Sequence, residues 1–205
     1  MAAEGPNRTG AVKAVFASRN RHKTEQVALL LPDVHLIPLD EVAPDLELEE
    51  PFDTFEGNAL AKARAVVVAT RFPAIADDSG LEVDALGGAP GVRSARYAGE
   101  LATDRENNAK LVAALAGVPA DRLTCRYRCV AALVWPDGRE LVTHGTCEGH
   151  VVLEGRGSLG FGYDPHVVPK GETRTMGEIP LEEKIQFSHR GRAFAELAEL
   201  LRSAR

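Results

Sequence analysis

The run "TCRYRCVAALVWPDGRELVTHGTCEGHVVL", Thr124 to Leu153, decides the fold class. In its first half Cys125, Tyr127 and Cys129 alternate with Arg126 and Arg128, the period-two pattern of a strand with one apolar and one wet face. "PDG" at Pro136–Gly138 is turn chemistry, and the residues beyond it again read as a strand. The economical structure is a long antiparallel hairpin. Upstream, "AVKAVFA" (Ala11–Ala17) predicts a first strand, "SRNRHK" a turn into a helix over about Lys23–Leu31, and "VHLIPL" a second strand. A strand-helix-strand start joined to long antiparallel strands predicts a mixed α/β sheet, not a simple doubly wound parallel one. Neither "GxGxxG" after the first strand nor "GxxxxGK[ST]" anywhere is present, so any nucleotide is held by other means.

Between these segments, "TFEGNALAKARAVVVATRF" (Thr54–Phe72) has the composition of a long helix, with Thr54 or Asp53 as its N-cap. "FPAI" (Phe72–Ile75) reads as a short apolar strand leading into "ADDSG", and the glycines and proline of Gly87–Gly91 predict a loop. "TDRE" sets Thr103 three residues before Glu106, a capping box for a helix over about Thr103–Ala116 that stops at Gly117. The chain closes on an amphipathic helix with Ala193, Phe194, Leu197, Leu200 and Leu201 on its apolar side. No repeat or linker interrupts residues 11–205, which predicts one folding unit behind a frayed polar start at residues 1–10.

Composition narrows the partners. A net charge of -6 argues against a general nucleic-acid binder, which gains affinity from clustered Lys and Arg, but leaves room for a small phosphorylated ligand held by local cations. The opening residues lack an apolar segment of signal-peptide length, and no run approaches the ~18 apolar residues of a membrane span. The expected setting is therefore the cytoplasm, with no membrane partner, and the sequon at Asn7 has no meaning without secretion. Cys125, Cys129 and Cys147 are an odd set without a CxxC pair, so they are expected as small apolar strand residues and not as a disulfide framework or zinc site.

Three local patterns carry chemistry. "ADDSG" (Ala76–Gly80) places two carboxylates behind an apolar strand, where α/β folds put ligand sites; on its own, Asp-Asp-Ser-Gly is turn chemistry. Adjacent negative charges need a positive partner, and Mg2+ is the expected one, with Glu49 and Glu50 of "LEE" as a second source of oxygen. Lys23 at the first strand-helix junction, Lys184, and the His189-Arg190 pair are the complementary cations. In "GSLGFGYDP", Phe161 and Tyr163 offer flat faces among glycines on which a base can stack, Asp164 can accept from a ring N–H, and His189 with Arg190 can donate to a keto oxygen.

These motifs, in this order, make the chain resemble the inosine triphosphate pyrophosphatase (Ham1-like) family. The resemblance runs from "VFASRNRHKTEQ" through "TFEGNALAKA", "AIADDSGLEVDALGGAPGVRSARYAG" and "GFGYDP" to "EKIQFSHRGRA". It implies an elongated, bent mixed sheet with flanking helices forming two lobes around a central cleft, a homodimer, and Mg2+-dependent hydrolysis of ITP, dITP and XTP to the monophosphate and pyrophosphate. By motif, Ser18, Asn20 and Lys23 would hold the triphosphate, Asp78 would be catalytic base and metal contact, and Ser79 a substrate contact. Phe161, Gly162, Tyr163, Asp164, Lys184, His189 and Arg190 would meet the nucleotide and its base. Glu49 or Glu50 would supply a second metal carboxylate and Asp77 a further contact. Arg19 stands where the family's first loop usually has glycine, and is expected to point outward or to add a phosphate contact. A Maf-type pyrophosphatase with another base preference and a non-catalytic nucleotide-binding regulator are the rival readings.

Overall fold

The computed structural model describes residues 12–203, so the expectation for residues 1–10 lies outside the described residues. The chain opens with β1 (Val12–Phe16), α1 (Arg21–Leu30), β2 (Val34–Pro38) and the single turn α2 (Leu39–Val42). It continues with α3 (Phe55–Thr70), β3 (Ala74–Val83), α4 (Asp104–Ala114), β4 (Thr124–Val134) and β5 (Glu140–Val151). Strand β6 (Val167–Pro169), the turn α5 (Leu181–Lys184) and α6 (His189–Ser203) complete it. The six strands form one mixed sheet in the order β2-β1-β3-β4-β5-β6. β1 pairs in parallel with β2 and β3, while β3–β4, β4–β5 and β5–β6 are antiparallel.

The hairpin forms as expected, with Thr124–Val134 in unbroken register against Glu140–His150. Both capping predictions hold: Thr54 Oγ1 accepts from Gly57 N–H, and Thr103 and Glu106 close a reciprocal box at the start of α4. The first helix begins two residues before the expected Lys23, because Asn20 caps it by accepting from Lys23 N–H. The three cysteines are free and buried in β4 and β5.

The main departure concerns β3. "ADDSG" is neither a turn nor a strand end: it is the middle of a ten-residue strand, paired with β4 from Ala74↔Val134 to Val83↔Cys125. β3 therefore touches separate apolar clusters at its two ends. Its first part, with Ile75 and Ala76, packs into the clusters under α6 and α3. Its last part, with Leu81 and Val83, joins Leu111 of α4, Leu115 just past its end, Cys125, Tyr127 and Met176. The polar stretch Asp77–Gly80 lies between them, so the clusters at the two ends meet across polar chemistry at the centre of the sheet.

Candidate active site

Alternation along β3 decides where each acidic side chain goes, because successive residues of a strand face opposite sides. Asp77 and Ser79 share the face of Ile75 and look toward α6, whereas Asp78 and Gly80 share the face of Ala76 and look toward α3. The two neighbouring carboxylates thus do not face one shared cation; each meets protein cations on its own side of the strand.

On the α3 face, Asp78 Oδ2 accepts from the Asn58 amide at 3.1 Å, and Oδ1 lies 3.5 Å from Lys62 Nζ. Lys62 also holds Glu50 at 2.6 Å, and Arg96 reaches Glu50 from the other side at 2.9 Å. Phe55, Asn58, Ala59, Lys62, Ala63 and Val66 follow one another at helical spacing on the buried stripe of α3. Lys62 is thus a cation placed deliberately on an inward face. Burial works against its charge, but Asp78, Glu50 and Asp77 more than compensate and hold its pKa above the ordinary lysine value. Burial likewise opposes the charge of Glu50, and there Lys62 and Arg96 win, so Glu50 stays below its usual range. Asp78 goes the other way: burial raises its pKa, Glu50 adds to the rise, and Lys62 only partly offsets it.

On the α6 face, Asp77 is 1% exposed and meets Arg190 at 2.9 Å and Lys23 at 3.1 Å. Burial would raise its pKa, but these two cations and Lys62 hold it far below the carboxylate range. Arg190 is shared further, donating to Gln26 Oε1 at 2.9 Å and to Ser79 Oγ at 2.7 Å. Asp77 is therefore the anchor behind the cleft wall that fixes two of its lining cations, the half-buried Lys23 and the buried Arg190.

The glycine-rich segment after β5 closes the other end. Asp164 accepts from Lys184 Nζ at 2.8 Å and from the Tyr127 hydroxyl at 3.1 Å. Tyr127 stacks on His189, ring centroids 4.7 Å apart. Burial, with Arg190 beside it, pushes the His189 pKa well below the usual value, so its ring is neutral at physiological pH, and its Nδ1 has no hydrogen-bond partner among the described residues. Tyr163 donates to the Ser94 carbonyl at 2.8 Å. Phe161 stacks on His22 of α1 and lies under the Arg190 guanidinium.

Most of these groups line one cleft enclosing about 950 Å³, open mouth included, with Asn58, Lys62, Arg96 and Asp77 behind its wall. Asn20, Lys23, Glu50, Asp78 and Ser79 stand at one end. Phe161, Gly162, Tyr163, Asp164, Lys184, His189 and Arg190 stand at the other. Four expected site residues are not brought to this wall. Glu49 is exposed beside the half-buried Glu50, and Asp77 is sealed behind the sheet. Ser18 and Arg19 line a different hollow, beside β2. Arg19 points outward, pairing with Asp40 at 2.8 Å and donating to the Pro44 carbonyl at 2.6 Å, so it takes the first of its two expected roles. Sequence reasoning missed Lys62, Asn58, Arg96 and Tyr127. For Lys62 the signal was available, a lone cation at i+4 from Asn58 on the apolar stripe of a helix.

The sheet and cleft define an α/β protein of the mixed-sheet class with a charged cleft at the seam. The particular family follows from comparison: residues 14–200 match the model of the Ham1 family, and the chain belongs to it. It is 45% identical to the dITP/XTP pyrophosphatase of Desulforamulus reducens over 93% of this chain and 96% of that protein. It is 46% identical to the dITP/XTP pyrophosphatase of Frankia alni over 93% of this chain and 98% of that one. Among solved structures, the Staphylococcus aureus Ham1 protein superposes with a TM-score of 0.86 at 38% identity, covering 94% of this chain and all 100% of that one. The nucleoside-triphosphatase / dITP/XTP pyrophosphatase of Mycobacterium abscessus gives 0.75 at 43% identity, over 91% and 98%.

Proposed function

We propose that this chain hydrolyses ITP, dITP and XTP to the nucleoside monophosphate and pyrophosphate, clearing deaminated purine nucleotides from the precursor pool. The observation that carries the reading is the polarity of one cleft. Asp78, its pKa raised, sits with Lys23 and Glu50 at one end, backed by the buried Lys62, and an aromatic and hydrogen-bonding slot for a base lies at the other. Membership of the Ham1 family supports it.

In this reading the triphosphate lies against Lys23, whose charge screens it in a chain that is acidic overall, while Lys62 stands behind Asp78 and Glu50. Asp78 orients a water and takes its proton as the water attacks phosphorus in line, and a raised pKa makes it a better proton acceptor than an ordinary aspartate. Asn58 and Lys62 keep the carboxylate aimed. The purine stacks on Phe161, with His189 and Lys184 able to donate to a 6-keto oxygen. Adenine presents an amine there and leaves buried donors unpaired, which disfavours ATP.

Asp78 and Glu50 would hold Mg2+. Both are hard oxygen donors bracketing one lysine, and Mg2+ characteristically takes one or two carboxylates together with substrate phosphates and water. When bound it supplies charge neutralisation on the phosphate oxygens and on the leaving pyrophosphate. Asp77 and Glu49 are not part of this proposed pair. A homodimer in the cytoplasm, with two lobes in a single unit, belongs to the same reading. No described helix is long and apolar enough to cross a membrane.

The test is a substrate panel: ITP, dITP, XTP and the ordinary nucleoside triphosphates, with monophosphate, pyrophosphate and phosphate measured separately. The reading requires pyrophosphate release and a strong preference for the deaminated purines. Release of single phosphates or equal rates on ATP and ITP would defeat it, and a preference for pyrimidine or otherwise modified nucleotides would favour the Maf-type reading. Tight ITP binding without turnover would favour the regulator.

A further inference from the structure

We infer that Asp104 and Asn108 of α4 are positioning residues for the base slot, acting on Phe161 through the backbone of Gly162; this rests on the reading of Phe161 as the purine's stacking platform. The two side chains stand one helical turn apart and grip a single residue. Gly162 N–H donates to Asp104 Oδ2 at 2.6 Å, and the Asn108 amide donates to the Gly162 carbonyl at 2.8 Å. Gly162 has φ +62°, a left-handed backbone that glycine adopts without penalty, and this conformation presents both of its peptide groups to α4.

The consequence falls on the neighbouring residue. Phe161 N–H donates to Asp164 Oδ2 at 3.4 Å, and the peptide that follows Phe161 carries the N–H held by Asp104. The peptides on both sides of the Phe161 Cα are thus each tied to a carboxylate, which fixes its φ and ψ and so the direction in which the side chain leaves the backbone. The ring itself lies parallel to His22 within 9°, so the platform is held by α4 through its backbone and by α1 through its ring. Neither clamp residue contributes to the apolar core under α4, where Leu111 and Leu115 are the buried contacts. Asn108 keeps its Oδ1 buried without a partner, a cost that packing alone does not explain.

The experiment compares Asp104→Ala, Asn108→Ala and Asp104→Asn with wild type, reading KM and kcat for ITP, the inhibition constant of inorganic tripolyphosphate, and the melting temperature. Losing one hydrogen bond that holds the platform is expected to raise KM for ITP roughly 3- to 10-fold with kcat changed much less. Tripolyphosphate has no base, so its inhibition constant should stay at the wild-type value. Asp104→Asn retains an acceptor for Gly162 N–H and should keep the wild-type KM. In a Phe161→Ala background the alanine substitutions should add nothing further. Equal weakening of ITP and tripolyphosphate, or full additivity with Phe161→Ala, would overturn the positioning role. So would a lower melting temperature with no change in KM. Wild-type protein that does not turn over ITP would instead overturn the underlying functional reading.

Discussion

Asp77 and Asp78 are neighbours in sequence with opposite electrostatic tasks, and substitution should separate them. The pKa of Asp77 is far below its ordinary value, so the stability it contributes is present above the unfolded carboxylate value and is lost as pH falls through the folded one. Asp77→Asn leaves Arg190 and Lys23 without their shared counter-charge and should destabilise the fold by about 3–5 kcal/mol, measured by urea unfolding at neutral pH. The sign reverses for Asp78. Its raised pKa means that the protonated form is favoured in the fold, and the associated stability is lost as pH rises through the folded value. Asp78→Asn should therefore melt no lower than wild type at neutral pH while losing ~10²–10⁴ of turnover, the usual worth of a general base. The acidic limb of the kcat/KM profile should lie above the normal aspartate range. Lys62→Met, which removes the charge opposing the rise, should move that limb higher still. A profile without a limb in the acidic range would remove Asp78 from the base role.

The elements carry these residues by a few close approaches. Gly145 of β5 sits beneath the first turn of α6, and a Cβ there would run into the His189 carbonyl and the Ala193 amide. Gly145→Ala should push back the turn that presents His189 and Arg190, costing about 1–3 kcal/mol by thermal melting and weakening ITP binding more than that of tripolyphosphate. A glycine inside an otherwise regular strand is a readable sign of such an approach. The β4–β5 hairpin, the α4 capping box and the long α3 were legible for the same reason, each being written in local periodicity and turn chemistry. The course of β3 was not. Asp-Asp-Ser-Gly has the local preference of a turn, and it is pairing with β4 along its full length that keeps it extended. The opposite orientation of the two aspartates follows only once that continuity is known. Asn20 shows the converse: its place in the cleft was expected, while its capping of α1 is the reason the first turn of that helix faces the site.

At the scale of the whole molecule, apolar clusters stabilise the fold on either side of a seam whose own polar groups are balanced by each other. Lys23, Lys62 and Arg190 lie against Asp77, Asp78 and Glu50, so the charges of the seam are balanced within the protein. Among the described residues no three His, Cys, Asp or Glu side chains are grouped so as to hold a metal ion. On the proposed function, Asp78 and Glu50 would hold Mg2+ only in company with the triphosphate. This makes a thermodynamic prediction distinct from turnover. Chelation with EDTA should leave the melting temperature of the nucleotide-free protein unchanged and abolish ITP hydrolysis. A non-hydrolysable ITP analogue at a hundred times its dissociation constant should stabilise the protein by about 2.7 kcal/mol with Mg2+ and much less without it. A resident structural metal would instead show as a lower melting temperature on chelation before any nucleotide is added, and that result would place the ion in the fold rather than with the substrate.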